Sequence, residues 1–173
     1  MLSKKMILNE AANSGFVRPL SDDEREKLKK TLLCMTAEID AVCRKYDIKM
    51  FLVGGSLLGA IRHGGFIPWD DDIDILMPRP DYERLQEVIK EQPFLPEHKF
   101  LSASLGNLDE PYTKLADTRT RLDKYYTKDK YDIYLWMDIF PMDGLPDDDA
   151  EIEKIYKKAL WYRRIIQYLK MKT

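Results

Sequence analysis

The sequence lacks the features of several common protein classes. No run of apolar residues reaches the roughly 18 that a membrane-spanning helix needs. The formal net charge is -2, so the basic footprint typical of nucleic-acid-binding proteins is missing, and no nucleic-acid partner is expected. There is no internal repeat and no low-complexity tract. The 173 residues therefore predict one globular domain with a core of its own.

Cysteine is also scarce. The two cysteines, Cys34 and Cys43, lie in one predicted helix. Nine residues along a helix separate them by about 13 Å on opposite sides, so they cannot form an intramolecular disulfide. We expect packed, reduced thiols, as in cytosolic proteins. The apolar stretch "MIL" near the N-terminus is too short for a signal peptide, so a cytoplasmic location is expected.

Hydrophobic periodicity predicts an α/β (α+β) fold, with helices flanking a mixed sheet. Residues 1–20 form an expected N-terminal arm, 21–147 the core and 148–173 a C-terminal amphipathic helix. A capping box from Ser21 to Glu24 starts the first helix. The predicted helices cover 22–46, 56–63, 80–92 and 148–171. The predicted strands cover 48–53, 73–77, 99–104, 112–118 and 131–140, and Pro141 and Pro146 are expected to lie in the loop that follows.

An acidic run, "WDDDIDILM", leads into the predicted strand 73–77. Because side chains alternate along a strand, Asp72 and Asp74 share one face, where they repel each other and lose hydration. A divalent cation, Mg²⁺ or Mn²⁺, removes that conflict and prefers carboxylate oxygens. The alternative is a solvated turn before the strand, which suits Asp70 and Asp71 better.

A glycine turn lies between the strand 48–53 and the helix 56–63. Gly54 and Gly55 would let backbone N–H groups approach a phosphate, and a helix N-terminus favours an anion. Ser56 would donate to a phosphate oxygen, or it would simply cap the helix. By itself the turn is weak evidence, but a metal-binding strand shortly downstream makes phosphate binding the favoured interpretation.

A third carboxylate is expected from another strand. Asp138 in "LWMDIFPMDG" has apolar residues on both sides, and an unpaired charge inside a strand is costly. Asp138 is preferred over Asp143, which follows Pro141 and can simply hold a turn. The predicted metal ligands are therefore Asp72, Asp74 and Asp138.

These motifs resemble the LicD family. The resemblance is close over "FLVGGSLLGAIRHGGFIPWDDDIDILMPRPDYERL" (51–85) and weaker over 112–120 and 137–144. It implies a nucleotidyltransferase fold related to DNA polymerase β-like enzymes. It also implies metal-dependent transfer of a phospho-alcohol, most often phosphocholine, from a CDP-alcohol to a hydroxyl of a cell-surface glycan or its precursor. Related fukutin-type proteins use CDP-ribitol. The catalytic residues would be Asp72, Asp74 and Asp138.

The same hypothesis gives roles to further residues. Arg62 would contact phosphate or form a surface ion pair, and Lys114 would neutralise the pyrophosphate or lie on a solvated face. His63 is a weaker phosphate candidate. Several aromatic side chains would stack on a base or a choline group, or would pack in the core: Trp69, Tyr125, Tyr126, Tyr131, Tyr134 and Trp136.

Other interpretations stay open at this point. The same motifs suit an enzyme that transfers the NMP half of a nucleotide, or a truncated, non-catalytic domain that binds a nucleotide or a partner. The last helix carries seven Lys and Arg against two Glu between residues 151 and 173. It would lie on the inner face of an anionic membrane or pack on the sheet.

Overall fold

The fold is defined by a computed structural model that describes residues 20–91, 94–108, 110–121 and 134–170. The helices are α1 (Asp22–Lys45), α2 (Gly54–His63), α3 (Arg79–Glu91) and α4 (Asp149–Lys170). The strands are β1 (Phe51–Leu52), β2 (Asp74–Pro78), β3 (His98–Leu101), β4 (Thr113–Asp117) and β5 (Leu135–Met142). A 3₁₀ turn spans Ala103–Leu105. The described residues fall into two compact units, one ending at Met142 and one beginning at Asp143.

The five strands form one mixed sheet in the order β1-β2-β5-β4-β3. Only the β2–β5 pair is parallel, and the other three pairs are antiparallel. The predicted mixed sheet with flanking helices is therefore confirmed. The parallel pair matters for function, because its register sets Asp74 directly beside Asp138.

The core lies on one face of the sheet. Alternation along β2 and β5 buries Ile75 and Ile139 there. Helix α1 begins with the predicted capping box, since the Ser21 hydroxyl accepts from the Glu24 N–H and the Glu24 carboxylate accepts from the Ser21 N–H. The core is completed by side chains from α1, α3 and the sheet: Leu32, Met35, Ile39, Leu85, Leu115 and Met137. Polar side chains at the alternate strand positions consequently project from the opposite face.

In the sheet, three predicted boundaries are wrong. The strand expected over 48–53 is only Phe51–Leu52, because the chain turns at Asp47, with a φ of 52°, and Ile48 still bonds back to α1. The strand expected over 99–104 ends at Leu101. Pro141, expected in a loop, lies inside β5, where the strand has passed its last β4 partner at Ile139 and a missing N–H is tolerated.

One thiol also departs from expectation. Both cysteines are free, as predicted, but Cys34 is exposed and only Cys43 is packed in the core. The reason is helical phase, since the buried positions of α1 form a single stripe that includes Cys43 and excludes Cys34.

The second unit contains α4, which exposes aromatic and aliphatic side chains such as Tyr156, Trp161 and Ile166. No helix among the described residues has the length and apolar content needed to cross a bilayer.

Candidate active site

Three charged side chains form a row across the face of the sheet opposite the core. In the sheet register Asp74 on β2 lies beside Asp138 on β5, and Lys114 on β4 lies on the other side of Asp138. The Lys114 Nζ is 4.0 Å from the Asp138 Oδ1. Two of these residues were predicted as metal ligands and the third as a phosphate ligand. The strand pairing brings all three together.

The environment of Asp138 disfavours its charged form. Burial raises the pKa of its carboxyl group to about 6, and the nearby charges of Asp74 and Asp72 add to that rise. The Lys114 ammonium and a hydrogen bond from the Trp136 side chain act in the opposite direction. Among the described residues, the buried Oδ1 has no hydrogen-bond partner. A buried oxygen without a partner is costly unless something else coordinates it.

Asp72 lies two residues before β2 and is exposed. Burial of its carboxylate and the charges of Asp74, Asp70 and Asp71 raise its pKa. The pKa of Asp74 is raised as well, by burial and by Asp70. One oxygen from each of Asp70, Asp71 and Asp72 lies within 4.8 Å of the others. Asp71 is exposed, as expected.

The glycine segment adopts a different structure from the predicted one. Helix α2 begins at Gly54 rather than at residue 56, so the glycines form its first turn, and its N-cap is Val53. Ser56 does not cap the helix. Its hydroxyl accepts a hydrogen bond from the Asp74 N–H at 2.9 Å, and this bond fixes the helix start to the acidic strand.

The backbone conformation and the limited space beside the acidic side chains explain why residues 54 and 55 are glycines. Gly54 has a φ of +60°, which favours glycine, and a Cβ there would lie 3.5 Å from the Asp74 Oδ2. A Cβ on Gly55 would lie 2.5 Å from the Asp70 Oδ2, which is closer than a non-bonded contact allows. A side chain at either position would therefore crowd the carboxylates or fill the space next to them.

These features together suit a hard divalent cation. Carboxylates from β2, β5 and the loop before β2 lie close enough for their charges to interact, and burial, followed by that repulsion, raises the pKa of Asp72, Asp74 and Asp138. Among the described residues, the acidic oxygens that lie within 4.8 Å of one another are those of Asp70, Asp71 and Asp72, without Asp74 or Asp138. The buried Oδ1 of Asp138 accepts no hydrogen bond from the described residues, so its lone pairs suit a metal ligand. Mg²⁺ and Mn²⁺ prefer such oxygen donors.

The remaining candidates are more scattered. Arg62 and His63 lie exposed in the last turn of α2, at the end opposite the glycines. Trp69 is 77% exposed, so it is not packed in the core. Asp143 belongs to the second unit. Tyr134 and Trp136 pack against a small cluster on the sheet. The other aromatic candidates lie outside the described residues: Tyr125, Tyr126 and Tyr131.

Sequence reasoning missed two contributors. Asp70 was assigned to a plain turn, yet it packs against Gly55 and affects the pKa of both Asp72 and Asp74. Its place in the same acidic run was the available signal. The sequence predicts that Trp136 forms part of a ligand cage or packs in the core, and no sequence signal indicates that it lies beside both Lys114 and Asp138.

Comparisons with known proteins identify the class of this site. The family model described as "LicD/FKTN/FKRP, nucleotidyltransferase domain" matches residues 47–144, which include the whole row and the glycine turn. The match covers more than half of the chain, so this is a nucleotidyltransferase-type domain. The chain belongs to the LicD family, and the resemblance noted in the sequence is confirmed.

Individual relatives agree with that assignment. The lipopolysaccharide cholinephosphotransferase LicD of Haemophilus influenzae is 38% identical over 128 residues, covering 72% of this chain and 45% of its own length. An uncharacterized protein of Rickettsia typhi is 28% identical over 133 residues, covering 76% of this chain and 40% of its own. Human ribitol 5-phosphate transferase FKRP is 61% identical over 28 residues, covering 16% of this chain and 6% of its own. The chain thus spans less than half the length of these relatives.

Proposed function

We propose that this chain carries out metal-dependent transfer of a phospho-alcohol group, most simply phosphocholine, from a CDP-activated donor to a hydroxyl group of a cell-surface glycan or its precursor. The supporting relatives are named for cholinephosphate transfer and for ribitol 5-phosphate transfer. The observation that carries the proposal is the row of Asp74, Asp138 and Lys114 beside the glycine start of α2.

The start of α2 supplies the proposed diphosphate site. Leu57 N–H makes the first helical bond, to Val53, so the N–H groups of Gly54, Gly55 and Ser56 precede that bond and can donate to an anion. The Ser56 hydroxyl accepts from Asp74 and keeps its own proton for a phosphate oxygen. The Lys114 ammonium faces the same row and adds positive charge. Arg62, at the far end of the helix, has no place in this arrangement.

The acidic residues supply the metal site. Asp72, Asp74 and Asp138 would hold Mg²⁺ or Mn²⁺, with Asp70 beside them. When bound, such an ion stabilises the negative charge that develops on the attacking and leaving oxygens. Its charge would also offset the burial and the weaker mutual repulsion that raise the pKa of the three aspartates.

The chemical step follows from these positions. The oxygen of the acceptor hydroxyl attacks the phosphorus that carries the alcohol, the bond from that phosphorus to the bridging oxygen breaks, and CMP leaves. The hydroxyl proton passes to the Asp138 carboxylate, which lies in the row between Asp74 and Lys114 and is the proposed base. The Lys114 side chain stabilises the departing phosphate.

Calorimetry tests the site without an acceptor. CDP-choline and CDP-ribitol are titrated into the chain with Mg²⁺ and with EDTA, and Asp74→Asn is compared with Asp40→Asn, a matched change in a surface ion pair on α1. We expect binding that requires Mg²⁺ and is lost only in Asp74→Asn. Binding that is equally tight in Mg²⁺ and in EDTA, and unchanged in Asp74→Asn, would overturn the proposed site.

Product analysis tests the reaction. With a glycan acceptor, release of CMP from CDP-choline or CDP-ribitol supports phospho-alcohol transfer. Release of pyrophosphate from CTP, with no CMP from either donor, would instead show transfer of the NMP half and refute the proposal.

A further inference from the structure

Lys114 is an unusual lysine, because its residue is only 3% exposed. Its Nζ lies 4.4 Å from the centre of the Trp136 ring, 5.6 Å from that of Tyr112, and 4.0 Å from the Asp138 Oδ1. An ammonium held over an aromatic face is stabilised most when both are removed from water. Lysine is a flexible side chain, so these contacts decide where the charge is held.

Trp136 contacts the same pair in a second way. It precedes Asp138 by two residues on β5, so both side chains project from the same face of the sheet. Its side chain lowers the pKa of the Asp138 carboxyl group, as a hydrogen-bond donor beside a carboxylate does. The ring face of the indole therefore contacts the lysine, and its N–H is the group that can donate to the acid. Phenylalanine offers only the ring, and leucine offers neither.

We propose that Trp136 is a positioning residue that fixes Lys114 and Asp138 relative to each other, so that the metal and the donor diphosphate meet a preformed pair of opposite charges. This inference rests on the proposed function and deepens it. Trp136 contacts neither the metal nor the diphosphate in this scheme. It acts through the two residues that do.

The first test compares Trp136→Phe and Trp136→Leu with Tyr134→Leu, since Tyr134 packs against the same small cluster on the sheet. The half-saturating concentrations of Mg²⁺ and CDP-choline are measured by calorimetry, and the unfolding midpoint by urea. We expect binding about tenfold weaker for Trp136→Phe, from the lost hydrogen bond to a charged group. A further loss of about tenfold is expected for Trp136→Leu, because leucine also lacks the ring face that contacts the Lys114 ammonium.

The control separates positioning from packing. Tyr134→Leu should lower the unfolding midpoint but keep both half-saturating concentrations within about twofold of wild type. The inference is wrong if Trp136→Leu also lowers only the midpoint, or if Trp136→Phe binds as tightly as wild type.

A second test needs no ligand and so stands if the proposed function fails. The chain has three tryptophans, and Trp69 and Trp161 are 77% and 57% exposed. In protein labelled with ¹⁵N-tryptophan, the Trp136 indole N–H should exchange with deuterium slowest of the three, and faster in Asp138→Ala. Equally fast exchange of all three signals, or no change in Asp138→Ala, would refute the contact.

Discussion

Asp138→Asn offers the sharpest test of the charge conflict in this site. Burial raises the pKa of Asp138 from the ordinary 3.8 to about 6. Between these values the folded chain holds a proton that the unfolded chain has released. By linkage, the stability of the wild type therefore falls as pH rises through this window, and it levels off above about pH 7.

The magnitude follows from the shift. A difference of about two pKa units corresponds to about 3 kcal/mol, at 1.4 kcal/mol per unit. The carboxylate is 22% exposed, so solvent screens little of this energy. An asparagine has no charge to lose or gain. Relative to the wild type, Asp138→Asn should therefore gain about 3 kcal/mol in free energy of unfolding between pH 4 and pH 7.

Urea denaturation in EDTA at pH 4, 5, 6 and 7 measures this difference. The comparison between pH values removes constant effects of the substitution, including the weakened contact with Lys114. Asp40→Asn, in a surface ion pair with Arg44, is the control and should differ from the wild type by less than about 0.5 kcal/mol throughout. Added Mg²⁺ should stabilise the wild type at pH 7 and leave the unfolding of Asp138→Asn nearly unchanged.

A stability difference between Asp138→Asn and the wild type that stays constant from pH 4 to pH 7 would refute the reasoning, because it would mean that Asp138 ionises normally in the folded chain. Equal stabilisation of both proteins by Mg²⁺ would instead show that the ion binds elsewhere.

Three further predictions concern neighbouring residues. Ser56→Ala leaves the Asp74 N–H without its acceptor, so urea denaturation should show a loss of about 1–2 kcal/mol, and an unchanged midpoint would contradict the role of that bond. Gly55→Ala places a methyl group 2.5 Å from the Asp70 Oδ2, a side-chain end that can move, so stability should change by less than about 1 kcal/mol while calorimetry shows weaker Mg²⁺-dependent CDP-choline binding; equal binding would show that the cradle is not used. Hydrogen bonds from the Arg119 guanidinium lower the pKa of Asp117. The contribution of the Asp117 carboxylate to stability is therefore complete above about pH 4 and is lost as pH falls through the folded pKa. Asp117→Asn should therefore cost about 2 kcal/mol at pH 7 and less at pH 3, and a cost that does not change with pH would rule this out.

Much of the candidate site could be predicted because its signals are local. Two-residue alternation placed Asp74 on the face opposite Ile75, and the apolar neighbours of Asp138 indicated a charge that needs a partner. Local rules also gave the capping box of α1. Prediction failed at the glycine segment, which is helical from Gly54, because glycines predict a turn at the same residues where the helix begins.

The sequence by itself determined which residues carry charge, which strand faces they occupy and to which family the chain belongs. It could not determine which strands are neighbours, because pairing depends on contacts between residues far apart in the chain. The strand order β2-β5-β4 places Asp74, Asp138 and Lys114 in one row and brings the Trp136 ring into contact with Lys114. The side-chain alternation within a strand is a property of the backbone, but the register between strands is decided only when the whole sheet buries its apolar face.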